Sequence, residues 1–300
     1  MKTDLINEDR KVYNRGFLKQ AVKLAETGRC SSVLFFRDTF ADTNTPFDIK
    51  TNLNTITVTQ HASESSRDGS HYILSVRLFS EGRMTQLRSA LLLGLIHGYI
   101  KADEKICCIG GLPDSDRLDT VILLEVQREI QPIFAGSNDL LPSEVRPEVF
   151  ERVLSLATEL ATEGREGHAV GCLFVLGNVD CLSPYVHPLI LNPFFGYAAS
   201  DRNILTNSVD ETVKEYALLD GAFIINGDGV IESAGSLIQT DEYVHLPSGL
   251  GTRHAAAVAI SKVVDCIAIT VSSSTRQVCL FRKGVMLPLF TKGVGYGNVS

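Results

Sequence analysis

The sequence lacks an excess of positive charge: 28 Lys and Arg stand against 35 Asp and Glu, a formal net charge of −7. That balance excludes a nucleic-acid binder that works by broad phosphate neutralisation, although a small anionic ligand needs only a local cluster of donors. A bilayer-spanning run is also missing. The longest apolar stretch, "SALLLGLIHGYI" at 89–100, has about twelve residues and includes a histidine. It falls short of the ~20 residues that a span requires and reads as a buried helix. The opening residues, "MKTDLINEDRKVYNR", are charged and hold no apolar core of a signal peptide. No CxxC spacing links the seven cysteines (Cys30, Cys107, Cys108, Cys172, Cys181, Cys266 and Cys279). Most sit in apolar runs such as "KICCIGG" and "VGCLFVLG", where a free thiol behaves as a small hydrophobe. His168, His187 and His245 lack metal-ligand spacing, and no Ser–His–Asp or Cys–His arrangement stands out. The expectation is a cytoplasmic, reduced protein with no metal cluster, no membrane span and no nucleic-acid partner.

With 44% hydrophobic and 21% charged residues, the 300-residue chain has the composition of a globular protein with ample core. Its length leans towards two domains. The spacing predicts a helix over 14–27 that stops at Gly28, then a buried strand in "SSVLFFRD". The alternating runs "NTITVTQ" and "HYILSVRLF" follow, then a helix at about 83–100, the strand "KICCIGG" and a helix over "RLDTVILLEVQREI". Such alternation is that of an α/β layer structure. The segment "FAGSNDLLPSEVRPEVF" (134–150), rich in Gly, Ser, Asn and Pro, is the expected boundary, which gives domains 1–145 and 146–300. A helix over 148–163 ending at Gly164 and the strand "AVGCLFVLGN" echo the opening of the first half. "AFII" and "VIESAGSLI" read as strands joined by an "NGDG" hairpin turn. After the "PSGLG" turn come a helix over "TRHAAAVAISKVV", a buried strand in "CIAITVSSS" and a hairpin in "QVCLFRKGVMLPLF".

Several loops carry residues suited to a ligand. "LGTRHAAA" (250–257) is neither a GxxxxGK phosphate loop nor a GxGxxG dinucleotide fingerprint. Gly249 and Gly251 nevertheless let the backbone approach a ligand, and Thr252, Arg253 and His254 open a helix whose N-terminal amides favour anions. Arg253 adds a planar fork of donors suited to phosphate oxygens. The same residues also read as a plain helix start with a threonine cap. "LDGA" (219–222) is similarly double: Asp220 is either a turn residue bonding its own backbone or a carboxylate held beside a ligand. In the second case Gly221 and Ala222 leave room for a flat ring or a ribose. "TVSSST" (270–275) ends a buried strand, a place where ligands of open α/β sheets gather, although serine-rich loops are common without one. "GGLPDSDRLD" (110–119), with three aspartates and one arginine, reads as a surface loop more readily than as an anion site.

Taken in order, "LDGAFII", then "LPSGLGTRHAAA" and "AIS", then "IAITVS" resemble the diadenylate cyclase family, whose members share a DGA motif and, about thirty residues later, an RHR-type motif. "GCLFVLGN" and "NPFFGY" resemble that family's nucleotide-facing first strand and NPF segment, so the resemblance covers about 165–290. The N-terminal half resembles the pyruvate-kinase C-terminal-like domain of the archaeal-type branch, on fewer motifs. The resemblance implies an α/β fold of two domains, the second a cyclase domain with a mixed central sheet. It implies condensation of two ATP into cyclic di-AMP and two pyrophosphates, with a divalent metal, Mn²⁺ first and Mg²⁺ or Co²⁺ as alternatives. Two cyclase domains would meet face to face as a transient homodimer. Asp220 is then placed near the metal and the attacking 3′-hydroxyl, Gly221 and Ala222 along the nucleoside, and Leu237 on the base. Gly251, Thr252, Arg253 and His254 are placed at the phosphates, with Ser272 opposite. Two departures stand out: Ala255 replaces the third residue of the RHR-type motif, and Ser273 stands where an acidic residue commonly follows the serine. The alternative reading is a degenerate cyclase that senses ATP or cyclic di-AMP.

Overall fold

A computed structural model describes residues 2–42, 49, 51–61, 65–76, 82–134, 140–242 and 250–291. The chain folds into two compact units, Met1–Gln131 and Pro132–Ser300. Each carries its own mixed sheet, so the chain is mixed α/β.

The first unit opens with helix α1 (Lys2–Thr27). Leu18, Ala21, Val22 and Ala25 recur at helical spacing and are buried against Val33, Phe35, Cys107 and Ile109. The helix starts well before the expected residue 14, because its first turns are rich in charged helix formers that leave no apolar period to read. Buried Asn14 fixes it to the rest of the unit: its Nδ2 donates to the Asp116 carbonyl at 2.9 Å, and its Oδ1 accepts from the Leu118 amide at 2.9 Å. Strands β1 (Ser32–Phe36), β2 (Asn54–Thr59), β3 (Ser66–Asp68) and β4 (His71–Ser75) follow, then helix α2 (Arg83–Ile96) and strands β5 (Lys105–Gly110) and β6 (Thr120–Glu125). The sheet order is β3-β4-β2-β1-β5-β6, with β4, β2, β1 and β5 parallel and the outer two antiparallel to their neighbours.

One sequence expectation is corrected here. The helix read over "RLDTVILLEVQREI" is instead β6 followed by a short helix, α3 (Val126–Phe134). Thr120, Val121 and Ile122 are a β-branched run that favours an extended backbone, and β6 pairs with β5 along its whole length. α2 also ends at Ile96 rather than near 100, where Gly98 leaves the helical conformation at φ 68°.

The second unit contains α4 (Pro147–Glu163), β7 (Cys172–Gly177), the short α5 (Val179–Leu182), β8 (Val186–Pro188) and α6 (Asp210–Tyr216). It continues with β9 (Ala222–Asn226), β10 (Ile231–Ile238), α7 (Thr252–Val263), β11 (Ile267–Val271), β12 (Gln277–Arg282) and β13 (Val285–Thr291). The sheet order is β13-β12-β11-β7-β9-β10-β8. Only the central β7–β9 pair is parallel among the described ladders of this sheet. α4 starts on Pro147, which needs no amide there, and stops at Gly164 (φ 70°). The "NGDG" turn joins β9 to β10, its Gly229 amide donating to the Asn226 carbonyl at 2.8 Å. Strand alternation places Leu173 and Val175 on one face, packed with Ala222, Ile224, Ala257 and Ile260 in one cluster. Phe174 is turned to the other face and stacks on Phe223 at 5.2 Å. The "PSGLG" turn, Gly249 and His245 fall outside the described residues except for Leu250 and Gly251.

Candidate active site

The sheet of the second unit brings distant sequence positions to one edge. β7 and β9 run parallel and start together, so Gly171 and Asp220–Gly221 lie side by side ahead of Cys172 and Ala222. β11 runs the other way, with Val271 opposite Cys172, and therefore delivers Ser272 and Ser273 to the same edge. β10 is antiparallel to β9 with Ser236 opposite Ala222, which brings Leu237 there as well. α7 adds its first turn: the Arg253 Nη2 lies 3.2 Å from Asp220 Oδ1. Asp220 and Arg253, 33 positions apart in sequence, are thus in contact.

Backbone geometry requires glycine beside Asp220. Gly221 has φ 102°, a region that side chains avoid. A Cβ there would stand 2.6 Å from the Ser236 amide nitrogen. The close approach of β9 and β10 projects the Asp220 side chain out of the sheet, and it is 95% exposed. An exposed carboxylate paired with one guanidinium contributes little stability, so the pair is free to serve a ligand. Oδ1 faces Arg253, and Oδ2 has no hydrogen bond among the described residues.

Arg253 is held more tightly than its partner. Its side chain is 31% exposed, and its buried Nε has no hydrogen-bond partner among the described residues. A Cβ on Gly171 would meet its Nη1 at 2.9 Å and the Ser273 Oγ at 3.4 Å. In the sequence Gly171 is hidden, one more small residue entering an apolar strand. Its absent side chain makes the bed in which the guanidinium lies. Burial pushes the neighbouring Cys172 thiol up to about 12, with the Arg253 charge working in the opposite direction, so this cysteine stays a neutral thiol.

The remaining predicted residues divide into those at the edge and those behind it. Gly251 and Thr252 are exposed at the start of α7, and no side-chain cap covers that helix's first turn. Its unpaired amides can receive an anion. Leu237 is 42% exposed. The Ser272 Oγ accepts from the Thr275 amide at 3.2 Å and lies 3.2 Å from the Ser274 Oγ, closing the five-residue turn between β11 and β12. Ala222 is buried at 1%, so it meets the edge through its backbone. His254 is also turned inwards: it is buried and sets its ring edge-on to Phe281 at 5.8 Å. The NPF segment is ordered by Asn192, whose Nδ2 donates to the Glu232 carbonyl at 2.7 Å while its Oδ1 accepts from the Phe194 amide. His168 and His187 are exposed, and His187 stands opposite Leu237 in the β10–β8 ladder, so it borders the cluster at the base-covering residue.

Burial lowers the His254 pKa below its ordinary value. The unfolded chain therefore takes up this proton more readily than the folded one. The stability linked to the neutral ring is complete above about pH 6.5 and declines as the pH falls below that value. Unfolding by urea between pH 8 and pH 5 is expected to show this decline, with a shallower slope in His254→Gln. An unchanged slope would mean that the ring is not protected from protonation.

The donor set suits a divalent cation that takes most of its ligands elsewhere. No group of three or more His, Cys, Asp or Glu among the described residues could hold a metal alone. One exposed carboxylate, Asp220, with serine hydroxyls nearby fits Mg²⁺- or Mn²⁺-type binding, in which substrate phosphates complete the shell.

The chain is similar to known proteins. The family model described as DisA bacterial checkpoint controller nucleotide-binding matches residues 159–286, a span that holds the whole edge. A diadenylate cyclase of Methanocaldococcus jannaschii is 34% identical over 228 residues, 76% of this chain and 73% of that protein. One of Haloferax volcanii is 33% identical over 194 residues, 63% of this chain and 68% of that protein. The solved structure of DacA from Staphylococcus aureus is 23% identical, with 48% of this chain and 87% of that one aligned at a TM-score of 0.33. Among the described residues, no helix is long and apolar enough to cross a membrane. The chain belongs to the diadenylate cyclase family and is a nucleotidyltransferase.

Proposed function

We propose that the second unit condenses two ATP into cyclic di-AMP and two pyrophosphates, in the cytoplasm, across a face-to-face pair of cyclase units from two chains. The observation that carries this reading is the Asp220–Arg253 contact, at 3.2 Å, on the edge where β7, β9 and α7 converge. A carboxylate and a guanidinium that both remain accessible in part, at 95% and 31% exposure, can serve a hydroxyl and a phosphate at once.

In each half-reaction the 3′-hydroxyl oxygen of one nucleotide bonds to the α-phosphorus of the other. The bond between the α-phosphorus and the α–β bridging oxygen breaks, and pyrophosphate leaves with the electron pair. Such transfers depend chiefly on positioning and on stabilising charge. Asp220 accepts a hydrogen bond from the 3′-hydroxyl at Oδ2, orients it, and takes up its proton as the new O–P bond forms, passing it on to solvent. Gly221 and Ala222 line the nucleoside, and Leu237 covers the base. Arg253 and the amides at the start of α7, those of the capping Gly251 and of Thr252, bind the phosphate oxygens, with Ser272 on the opposite side. His254 completes that motif from the buried side of the same turn. A divalent cation at Asp220, Mn²⁺ in the first place, would add positive charge against the phosphates.

The domain organisation belongs to the same reading. The 1–145 part is a pyruvate-kinase-C-like domain and the 146–300 part the cyclase, with the limit inside 134–150. Retention of Asp220 and its contact with Arg253 favours the enzyme over the sensor, even with Ala255 and Ser273 in place of the usual residues.

Each chain carries one DGA and one RHA motif, whereas a cyclic dinucleotide needs two reciprocal attacks. Two chains related by a two-fold axis supply both. Specific activity is therefore expected to rise with enzyme concentration in the dilute range. A value that stays flat over about a hundredfold dilution, from a species shown by light scattering to be monomeric, would contradict the paired mechanism.

A further inference from the structure

The first unit shows a surface that the chemistry of the second does not use. The inner face of α1 is packed, yet its outer face carries Val12 at 70%, Tyr13 at 42% and Leu24 at 49% exposure. With Phe17, Gln20 and Val121 of the edge strand β6, these residues line an open groove of about 450 Å³. The groove is a fixed feature, because Asn14 ties the helix to 116–118 and the Arg117 guanidinium lies 5.0 Å over the Tyr13 ring. These side chains leave apolar surface available to a partner, and the charges around it decide what that partner is.

The charges on the same face identify its occupant. Gly16 stands at the middle, and a Cβ there would meet nothing within 4 Å, so a second backbone can come close. Asp9 lies seven positions before it and Lys23 seven positions after it, which is two helical turns in each direction and hence the same face. Both are exposed, and neither has an ion-pair partner among the described residues. Lys19, three positions after Gly16, is exposed on the same face, where an antiparallel second copy sets its own Val12 and Tyr13 against it rather than a like charge. Arg117 is held over the Tyr13 ring, and Arg10 and Lys11 are rotated off this face from Asp9 by one and two residue steps.

We propose that the outer face of α1 docks a second copy of this chain, the two helices antiparallel about a two-fold axis at Gly16. That operator sets Asp9 of each chain against Lys23 of its partner, twice, and closes the apolar groove of each unit with the other's Val12, Tyr13 and Leu24. A parallel arrangement would instead oppose like charges. The contact is isologous, so it ends at two copies. Its consequence for catalysis rests on the paired-site reading above: two cyclase units are carried in one complex, which raises the concentration each presents to another.

The test is the mass of the full chain in solution, by sedimentation or light scattering at micromolar concentration, without nucleotide or metal. The wild type is expected to be a dimer. Gly16→Arg projects into open space in the single chain and is expected to give a monomer with an unchanged circular dichroism spectrum. Asp9→Lys or Lys23→Asp alone should weaken the dimer by about tenfold or more, since both paired contacts become repulsive. The double exchange, Asp9→Lys with Lys23→Asp, should restore it. A monomeric wild type, a dimer unmoved by Gly16→Arg, or a double exchange as weak as either single one would overturn the proposal. Product formation, assayed separately on the same samples, reports on the catalytic reading independently of these masses.

Discussion

Asp220→Asn is expected to reduce cyclic di-AMP formation by at least about 10²-fold, the usual scale for losing a group that handles the proton of a reacting hydroxyl. The amide keeps the shape of the carboxylate but loses the charge that orients the 3′-hydroxyl and holds a cation. Binding of ATP should persist, with less dependence on added metal, because the phosphate donors of α7 are untouched. Stability should be unchanged: the Asp220 side chain is 95% exposed and only one salt bridge involves it among the described residues, and such surface changes usually stay within about ±0.5 kcal/mol. Product can be followed by chromatography and ATP retention by a fluorescent analogue. Full turnover in the variant would remove Asp220 from the mechanism.

Arg253→Ala is expected to cost a comparable 10²–10³-fold, about the loss seen when one preorganised donor to a developing oxyanion is deleted. The reasoning is geometric. Gly171 leaves the space in which the guanidinium lies, with its Nη1 where a Cβ would be only 2.9 Å away, and its Nη2 reaches Asp220. The fork is thus aimed before any nucleotide arrives. Arg253→Lys should recover part of the loss, since it keeps the charge but replaces a planar fork with a single point. Removing Arg253 strands no buried carboxylate, so the melting temperature should hold while turnover collapses. A parallel fall in both would assign Arg253 to folding rather than to phosphate binding.

Much of the edge is legible in the sequence, because strand ends and glycine turns follow local rules. Gly221 before "AFII" marks a place where the backbone approaches β10 closely, and Gly251 before "TRHAAA" marks the open start of α7, with nothing within 4 Å of a Cβ there; both lie at the candidate site. The hairpin at "NGDG" and the helix from Thr252 are likewise local. Convergence is what local patterns cannot carry. Asp220 and Arg253 meet because β7 and β9 are parallel while β11 is antiparallel between β7 and β12, and no local pattern reports strand order. Gly171 is illegible for the same reason, its role being defined by a side chain 82 positions away. His254 shows the limit of a motif read as a string: neighbours on a helix point about 100° apart, so Arg253 at the edge sends His254 inwards to Phe281. The segment 120–125 is ambiguous because its leucines and glutamate fit a helix while its β-branched start fits a strand, and only pairing with β5 decides between them.

The most direct measurement is incubation of the purified full chain with ATP and Mn²⁺, with quantification of cyclic di-AMP and pyrophosphate. Cyclic di-AMP should accumulate with two pyrophosphates released for each molecule formed, and it should vanish in Asp220→Asn. ATP that is bound but left unconverted under these conditions, across a range of divalent metals and enzyme concentrations, would contradict the synthase reading and leave a nucleotide sensor in its place.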